Sequence, residues 1–258
     1  MKKTIIIVSA LAVLFSCTKE NTGNNESYSE IEAEIVQTNE TDVKVLIGEK
    51  DGNRYPLTWS EGDGIYAMTA TPTSETIYFT STVTPSSVGK QIGYFRIPTG
   101  EDVTTMIAVC GGTIYSSKTS WTSKTNFKVT SKVSGEQDDF TVPMYATYDN
   151  GSLKFHPAAA IIKFTNIPEG YTNVTVGAQS FRFSINNKGE FSTEAYTATP
   201  CKSNLNDNPY FAIMPGARNQ FEITISNGSK SKEYTVAKRT FDAGKLYTLD
   251  CSKFMEIK

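Results

Sequence analysis

Histidine is nearly missing from this 258-residue chain, where His156 stands alone. A single imidazole excludes most zinc sites and any catalysis that needs two imidazoles. Neither charge is in excess, since 25 Lys and Arg face 27 Asp and Glu. That balance excludes the basic footprint of a nucleic-acid binder and a polybasic membrane patch. The chain has no G-x-S-x-G elbow, no P-loop and no H-E-x-x-H pair, so the common hydrolase and nucleotide signatures are absent. Long segments with helical periodicity are missing too. What is present in quantity is β-branched and aromatic residue types, enough for sizeable cores and against wholesale disorder.

The N-terminus carries an address. Lys2 and Lys3 precede the apolar run Ile5 to Phe15, which is shorter than the roughly 20 apolar residues of a bilayer span and reads as a signal peptide over residues 1–16. Leu14-Phe15-Ser16-Cys17 resembles a bacterial lipobox, with Phe15 where a small residue is usual. The chemistry needs a thiol at the cut, because the Cys17 sulfur takes the diacylglycerol before cleavage. Several buried acyl chains then give lasting attachment. The alternative is an ordinary signal peptide with an incidental cysteine. Cleavage there removes Lys2 and Lys3 and moves the net charge from −2 to −4. Residues 17–27 follow as a polar tether, and Lys19-Glu20 is similar to the charged signal that sends some Gram-negative lipoproteins to the cell surface. Of the other cysteines, Cys110, Cys201 and Cys251 show no CxxC or zinc spacing. Three buried thiols are the default, and a Cys201–Cys251 bridge is the alternative.

Beyond the tether, short period-2 runs recur. Ile31, Ala33 and Ile35 alternate with Glu32 and Glu34, and Val43, Val45 and Ile47 follow. Later come Phe127 and Val129, then Phe181, Phe183 and Ile185, then Phe221, Ile223 and Ile225. Turn signals such as Asp149-Asn150-Gly151, Asn186-Asn187-Lys188-Gly189 and Ser226-Asn227-Gly228 separate them, which predicts antiparallel hairpins in an all-β protein. A half-buried sheet needs a second sheet to cover it, so β-sandwiches are expected. A boundary is expected near Tyr148 to Gly151, giving domains at 28–149 and 150–258.

Four elements stand in order along the chain. They are Trp59-Ser60-Glu61-Gly62-Asp63-Gly64-Ile65-Tyr66; Pro143 to Ala146 with Leu153 to Phe164; Tyr210 to Gly216; and Phe241 to Leu249. Gly62-Asp63-Gly64 reads as a tight turn whose aspartate bonds its own backbone, with Trp59 as a core anchor beside it. No D-x-D-x-D-G series supports calcium at Asp63. His156, flanked by Leu153, Phe155 and Ile161, reads as a structural histidine, and Asp138-Asp139 as solvated loop acids. In order and spacing the four elements resemble the fimbrillin-like (Mfa-like) surface lipoproteins, subunits and accessory proteins of type V fimbriae.

That resemblance implies two tandem transthyretin-like β-sandwich domains and a non-enzymatic role with no cofactor. It also implies a place at the outer membrane or in the fimbrium, involvement in adhesion to a host or glycan ligand, and β-strand donation between subunits as the mode of assembly. In the family, proteolysis after a basic residue frees an early strand. Here Arg54 is the only arginine before Trp59, within the turn-rich Asp51 to Pro56 segment. The chain's own end would be the donor, with Leu249, Cys251, Met255 and Ile257 on one face and Lys253 interrupting. A permanent core arm and a merely solvated Arg54 form the opposing reading. A different class of function is a glycan-binding surface lipoprotein of a polysaccharide-uptake system, with Trp121 in a polar, loop-like stretch as its sugar platform. The anchor is directly testable: Cys17→Ala should leave the precursor uncut or released from membranes, read by fractionation, and wild-type maturation of that variant would refute lipidation.

Overall fold

The computed structural model describes residues 28–36, 57–70, 79–114, 121–123, 126–133, 142–205 and 209–257. Among them there is no α-helix, and therefore none long and apolar enough to cross a membrane. Three short 3₁₀ turns are the only helical elements described. The chain is all-β.

The strands run in order as β1 (Tyr28–Ile35), β2 (Gly64–Met68), β3 (Phe79–Thr82), β4 (Ile92–Pro98) and β5 (Ile107–Cys110). Next come β6 (Thr113–Ile114), β7 (Trp121–Ser123), β8 (Asn126–Val133), β9 (Met144–Asp149), β10 (Ser152–Pro157) and β11 (Ala160–Thr165). Two long strands follow, β12 (Asn173–Asn186) and β13 (Phe191–Asn204). The remainder are β14 (Tyr210–Ile213), β15 (Gly216–Arg218), β16 (Phe221–Ser226), β17 (Ser231–Val236), β18 (Arg239–Phe241), β19 (Leu246–Asp250) and β20 (Met255–Glu256).

Seven strands form one sheet in the order β3-β2-β5-β9-β10-β1-β4. Its two ends meet through the Val83–Phe95 bridge and a 2.9 Å bond from the Thr84 N–H to the Tyr94 carbonyl, so the sheet nearly closes on itself. Closure leaves few open edges. A second group holds the sheet β20-β17-β16-β12-β8-β6, the small sheet β14-β11-β19 and the ribbon β15–β18.

The turn Asp149–Gly151 does not divide the molecule, contrary to the sequence expectation. It joins β9 to β10, which pair with each other from Asp149–Ser152 to Met144–Pro157 within the seven-stranded sheet. The fresh apolar stretch at Leu153 is the return strand of a hairpin and not the start of a new domain. The changeover lies in β11, whose alternate faces serve different cores: Ile161 joins the first, while Ala160, Ile162 and Phe164 join the second. β12 is shared as well. Its Val174 and Val176 pack in the second core and pair with β16, whereas Phe181, Phe183 and Ile185 pack in the first and pair with β8. The register shifts between Val176 and Phe181, where a Cβ on Gly177 would meet the Glu222 carbonyl at 2.9 Å. Only glycine admits that approach.

The expected turn at Gly62-Asp63-Gly64 is present. Gly62 has φ +83°, a region that favours glycine. The Ser60 N–H donates to the Asp63 carboxylate at 2.6 Å, and the Asp63 carbonyl accepts from the Val83 N–H at 2.8 Å. Burial pushes the Asp63 carboxyl up to about 6, with the Ser60 N–H pulling the other way. A raised acid pKa means that the folded state holds the proton more tightly than the unfolded one. Stability should therefore fall as pH rises from about 4 to 6 and level off above. Asp63→Asn keeps the acceptor without the charge and should flatten that slope, gaining about 1–2 kcal/mol at pH 7 in thermal melts. An unchanged pH profile would show that the buried charge does not set it.

Candidate functional site

The first strand is held as an insert. β1 lies between β4, to which it runs antiparallel from Tyr28–Pro98 to Glu34–Ile92, and β10, to which it runs parallel from Glu32–Ser152 to Ile35–Phe155. Bonds from the Ile35 N–H to the Gln91 carbonyl (3.1 Å) and from the Val36 N–H to the Phe155 carbonyl (2.9 Å) continue the pairing on both sides. Alternation sets the faces. Ile31, Ala33 and Ile35 are buried, while Glu30, Glu32 and Glu34 look outward. Glu34 pairs with Lys154 on β10, and the Tyr94 hydroxyl reaches Glu32 at 3.4 Å.

Trp59 closes the slot from inside. It is 1% exposed and its indole N–H donates to the Ala33 carbonyl at 3.3 Å. Phe95 and Phe155 meet it edge-on, at centroid distances of 5.0 and 5.2 Å. Room for the indole comes from a pair of small residues, because Ala33 sits opposite Gly93 on β4. A Cβ on Gly93 would lie 2.6 Å from the indole Cδ1 and 2.7 Å from Nε1. Backbone bonds from the Trp59 N–H to the Lys90 carbonyl (2.9 Å) and from the Gly89 N–H to the Trp59 carbonyl (2.8 Å) fix the segment after the arm. The sequence marks Trp59 and the alternation of β1 correctly, but gives no account of Gly93 or Lys154. Gly93 was detectable as the single small residue ahead of the run Tyr94-Phe95-Arg96-Ile97.

The other candidate residues do not converge on this slot. Cys17, Arg54, the tether 17–27, Asp138 and Asp139 lie outside the described residues. Trp121 does not sit in a loop: its backbone opens β7 and pairs with Phe127 of β8. His156 is half-buried on the outer face of β10, stacked on Tyr145 at 5.6 Å, and Tyr145 stacks on Phe191 at 4.2 Å. Burial lowers its pKa and favours the neutral ring. Cys110 and Cys251 are free and buried, so no Cys201–Cys251 bridge forms. Burial drives the Cys110 thiol well up and Cys251 up to about 11, which leaves both as inert thiols at neutral pH. No group of three His, Cys, Asp or Glu suited to a metal occurs among the described residues.

The chain's end is not one continuous donor strand either. Asp250 caps a 3₁₀ turn at Cys251–Lys253 by accepting from the Ser252 N–H, which separates β19 from the two-residue β20. Cys251 points into the second core while Met255 is 78% exposed, so the four expected residues do not share a face.

No family model and no curated protein matches the sequence. Among solved structures, a candidate cell adhesion protein from Bacteroides uniformis is 15% identical, with a TM-score of 0.45, over 88% of this chain and 97% of that one. Another from Bacteroides ovatus is 12% identical, TM-score 0.43, over 90% and 97%. A fimbrial assembly protein from Parabacteroides distasonis is 12% identical, TM-score 0.37, over 75% and 83%.

The slot makes a clear prediction. Gly93→Ala should push the indole off Ala33 and lower stability by about 1–3 kcal/mol in chemical denaturation. In a Trp59→Phe background the same change should cost markedly less, because the smaller ring leaves room. Equal costs in both backgrounds would mean that the indole does not set the Ala33–Gly93 spacing.

Proposed function

We propose that this protein is a structural subunit or accessory (tip or anchor) protein of a cell-surface type V fimbria with a part in adhesion, and not an enzyme. It is made as a lipoprotein anchored in the outer membrane through Cys17 and joins other fimbrial subunits by strand exchange. The observation that supports this most is the inserted β1. It is a separate edge-to-edge strand, bonded on both sides, and it is joined to Trp59 through residues 37–56, within which Arg54 is the only arginine. Cutting there would leave β1 held by non-covalent contacts alone. Its departure would bare two strand edges, on β4 and β10, with an apolar floor at Trp59, Phe95 and Phe155. Such an opening is completed by a strand of alternating side chains from another subunit.

Magnitudes favour exchange over simple loss. Burying Ile31 and Ile35 is worth about 1.5–3 kcal/mol each, and the exposed ladder groups add to the cost of removal. The slot is therefore stable only when filled. The donor is not the continuous terminal strand that the sequence suggested, since Cys251 is committed to the second core. The glycan-binding alternative rests on Trp121, whose side chain lies outside what the structure describes.

Treatment of the purified chain with an arginine-specific protease tests the reading. A first cut after Arg54, followed by concentration-dependent polymerisation with loss of the arm from the folded body, is the expected outcome. Survival of Arg54 while Arg96, Arg182, Arg218 or Arg239 is cut would exclude this arm as an exchange switch.

A further inference from the structure

Among the described residues the second core has strand edges that no other strand covers along their length. Among the described residues β19 pairs only with β11, and the outer side of β17 is met by the end of the chain, at Lys232–Glu256, Glu233–Met255 and the Ile257 N–H on the Ser231 carbonyl. Between these edges runs a groove of about 490 Å³ with Ile162, Val236 and Leu249 along it and the β15–β18 ribbon at its rim. A second groove of about 400 Å³ lies beside Arg218 and Lys238.

The ribbon concentrates positive charge. Arg218 and Arg239 are directly opposite each other, and Lys238 precedes Arg239. Like charges facing across a two-stranded ribbon repel. Among the described residues none of the three forms an ion pair. The Arg239 guanidinium is already oriented, stacked 4.7 Å from the Tyr247 ring and 5.2 Å from that of Phe241. Arg218 donates its Nε–H to the Met214 carbonyl at 3.2 Å, while its Nη2 is buried with no partner among the described residues. An unmet buried donor is costly. A carboxylate on the exposed Arg239 would relieve the repulsion and match the fork of its guanidinium.

The carboxylate can come from a peptide or from an acidic sugar, and the aromatic residues distinguish them. Tyr247 has Arg239 over its ring and Phe241 at its edge, 4.9 Å away, and its hydroxyl accepts from the Asp242 N–H. Tyr234 is stacked on Phe254 at 5.3 Å. These rings are engaged within the protein, which leaves little for a sugar to stack on. The open edge of β19 instead offers backbone groups, which a peptide strand uses. We propose that this groove takes an acidic, extended segment of a partner protein, added as a strand along β19 with its carboxylates on the exposed Arg239 at the rim and the adjoining Lys238. The site lies in a different core from the β1 slot and stands whether or not β1 exchanges.

The test uses the full chain and a labelled alternating Glu-Val peptide, with a Lys-Val peptide as control. Saturable binding of the Glu-Val peptide alone is expected. It should weaken at least about tenfold in Lys238→Glu/Arg239→Glu, whose side chains are exposed, with the folded β-signature in circular dichroism retained. Amide exchange along Tyr247 to Leu249 should slow when the peptide is bound. Equal affinity for the double variant, unaltered exchange in β19, or no peptide binding would each overturn the proposal. Binding of polygalacturonate in place of the peptide would also overturn it, making the groove a sugar site.

Discussion

The close approach of Ala33 and Gly93 beneath the Trp59 indole is the constraint on which the first half of the molecule depends. A bulky aromatic can lie across two adjacent strands only where both present almost no side chain. At that point the ring holds the N-terminal strand, through its bond to the Ala33 carbonyl, and orders Phe95 and Phe155 around it. The Trp59 backbone is itself pinned by bonds to Gly89 and Lys90. The arm and the segment that follows it thus share one anchor, although residues 37–56 separate them in the chain.

That arrangement gives β1 two characters. Its inner face is part of the main core, while its outer face, with Glu30, Glu32 and Glu34, makes polar contacts to Lys154 and Tyr94. Any replacement strand has to supply a small residue where Ala33 sits and larger apolar ones on either side. Pairing specificity therefore resides in side-chain size at one position as much as in hydrogen bonds, which any backbone can make.

Much of this was readable in the chain. Period-2 alternation located β1, β8, β12 and β16, and Gly62-Asp63-Gly64 declared a turn whose carboxylate bonds Ser60. What was not readable depends on distance. The parallel pairing of Glu34 with Lys154 spans 120 residues, and no local pattern encodes it. Ala158 to Ile162 is apolar throughout, so its alternation between two cores is invisible until both cores exist, and the boundary was placed at a hairpin turn instead. Trp121 looked loop-like because its neighbours are polar, yet pairing with β8 overrode local composition. The apolar residues near the C-terminus suggested one strand, but the Asp250 cap on a 3₁₀ turn broke the run. The Arg218–Arg239 juxtaposition arises from a ribbon between residues far apart in sequence and has no sequence signature.

The sharing of β12 also governs how the molecule would carry tension. One unbroken strand holds Val176 in one core and Phe181 in the other, with β16 and β8 gripping its two ends laterally. Drawing the halves apart along that strand would load each set of ladder bonds in shear, all at once, and not peel them open one by one. The register shifts between Val176 and Phe181 are the irregular stretch in that line. A body built this way behaves as a stiff link and not as two beads on a string.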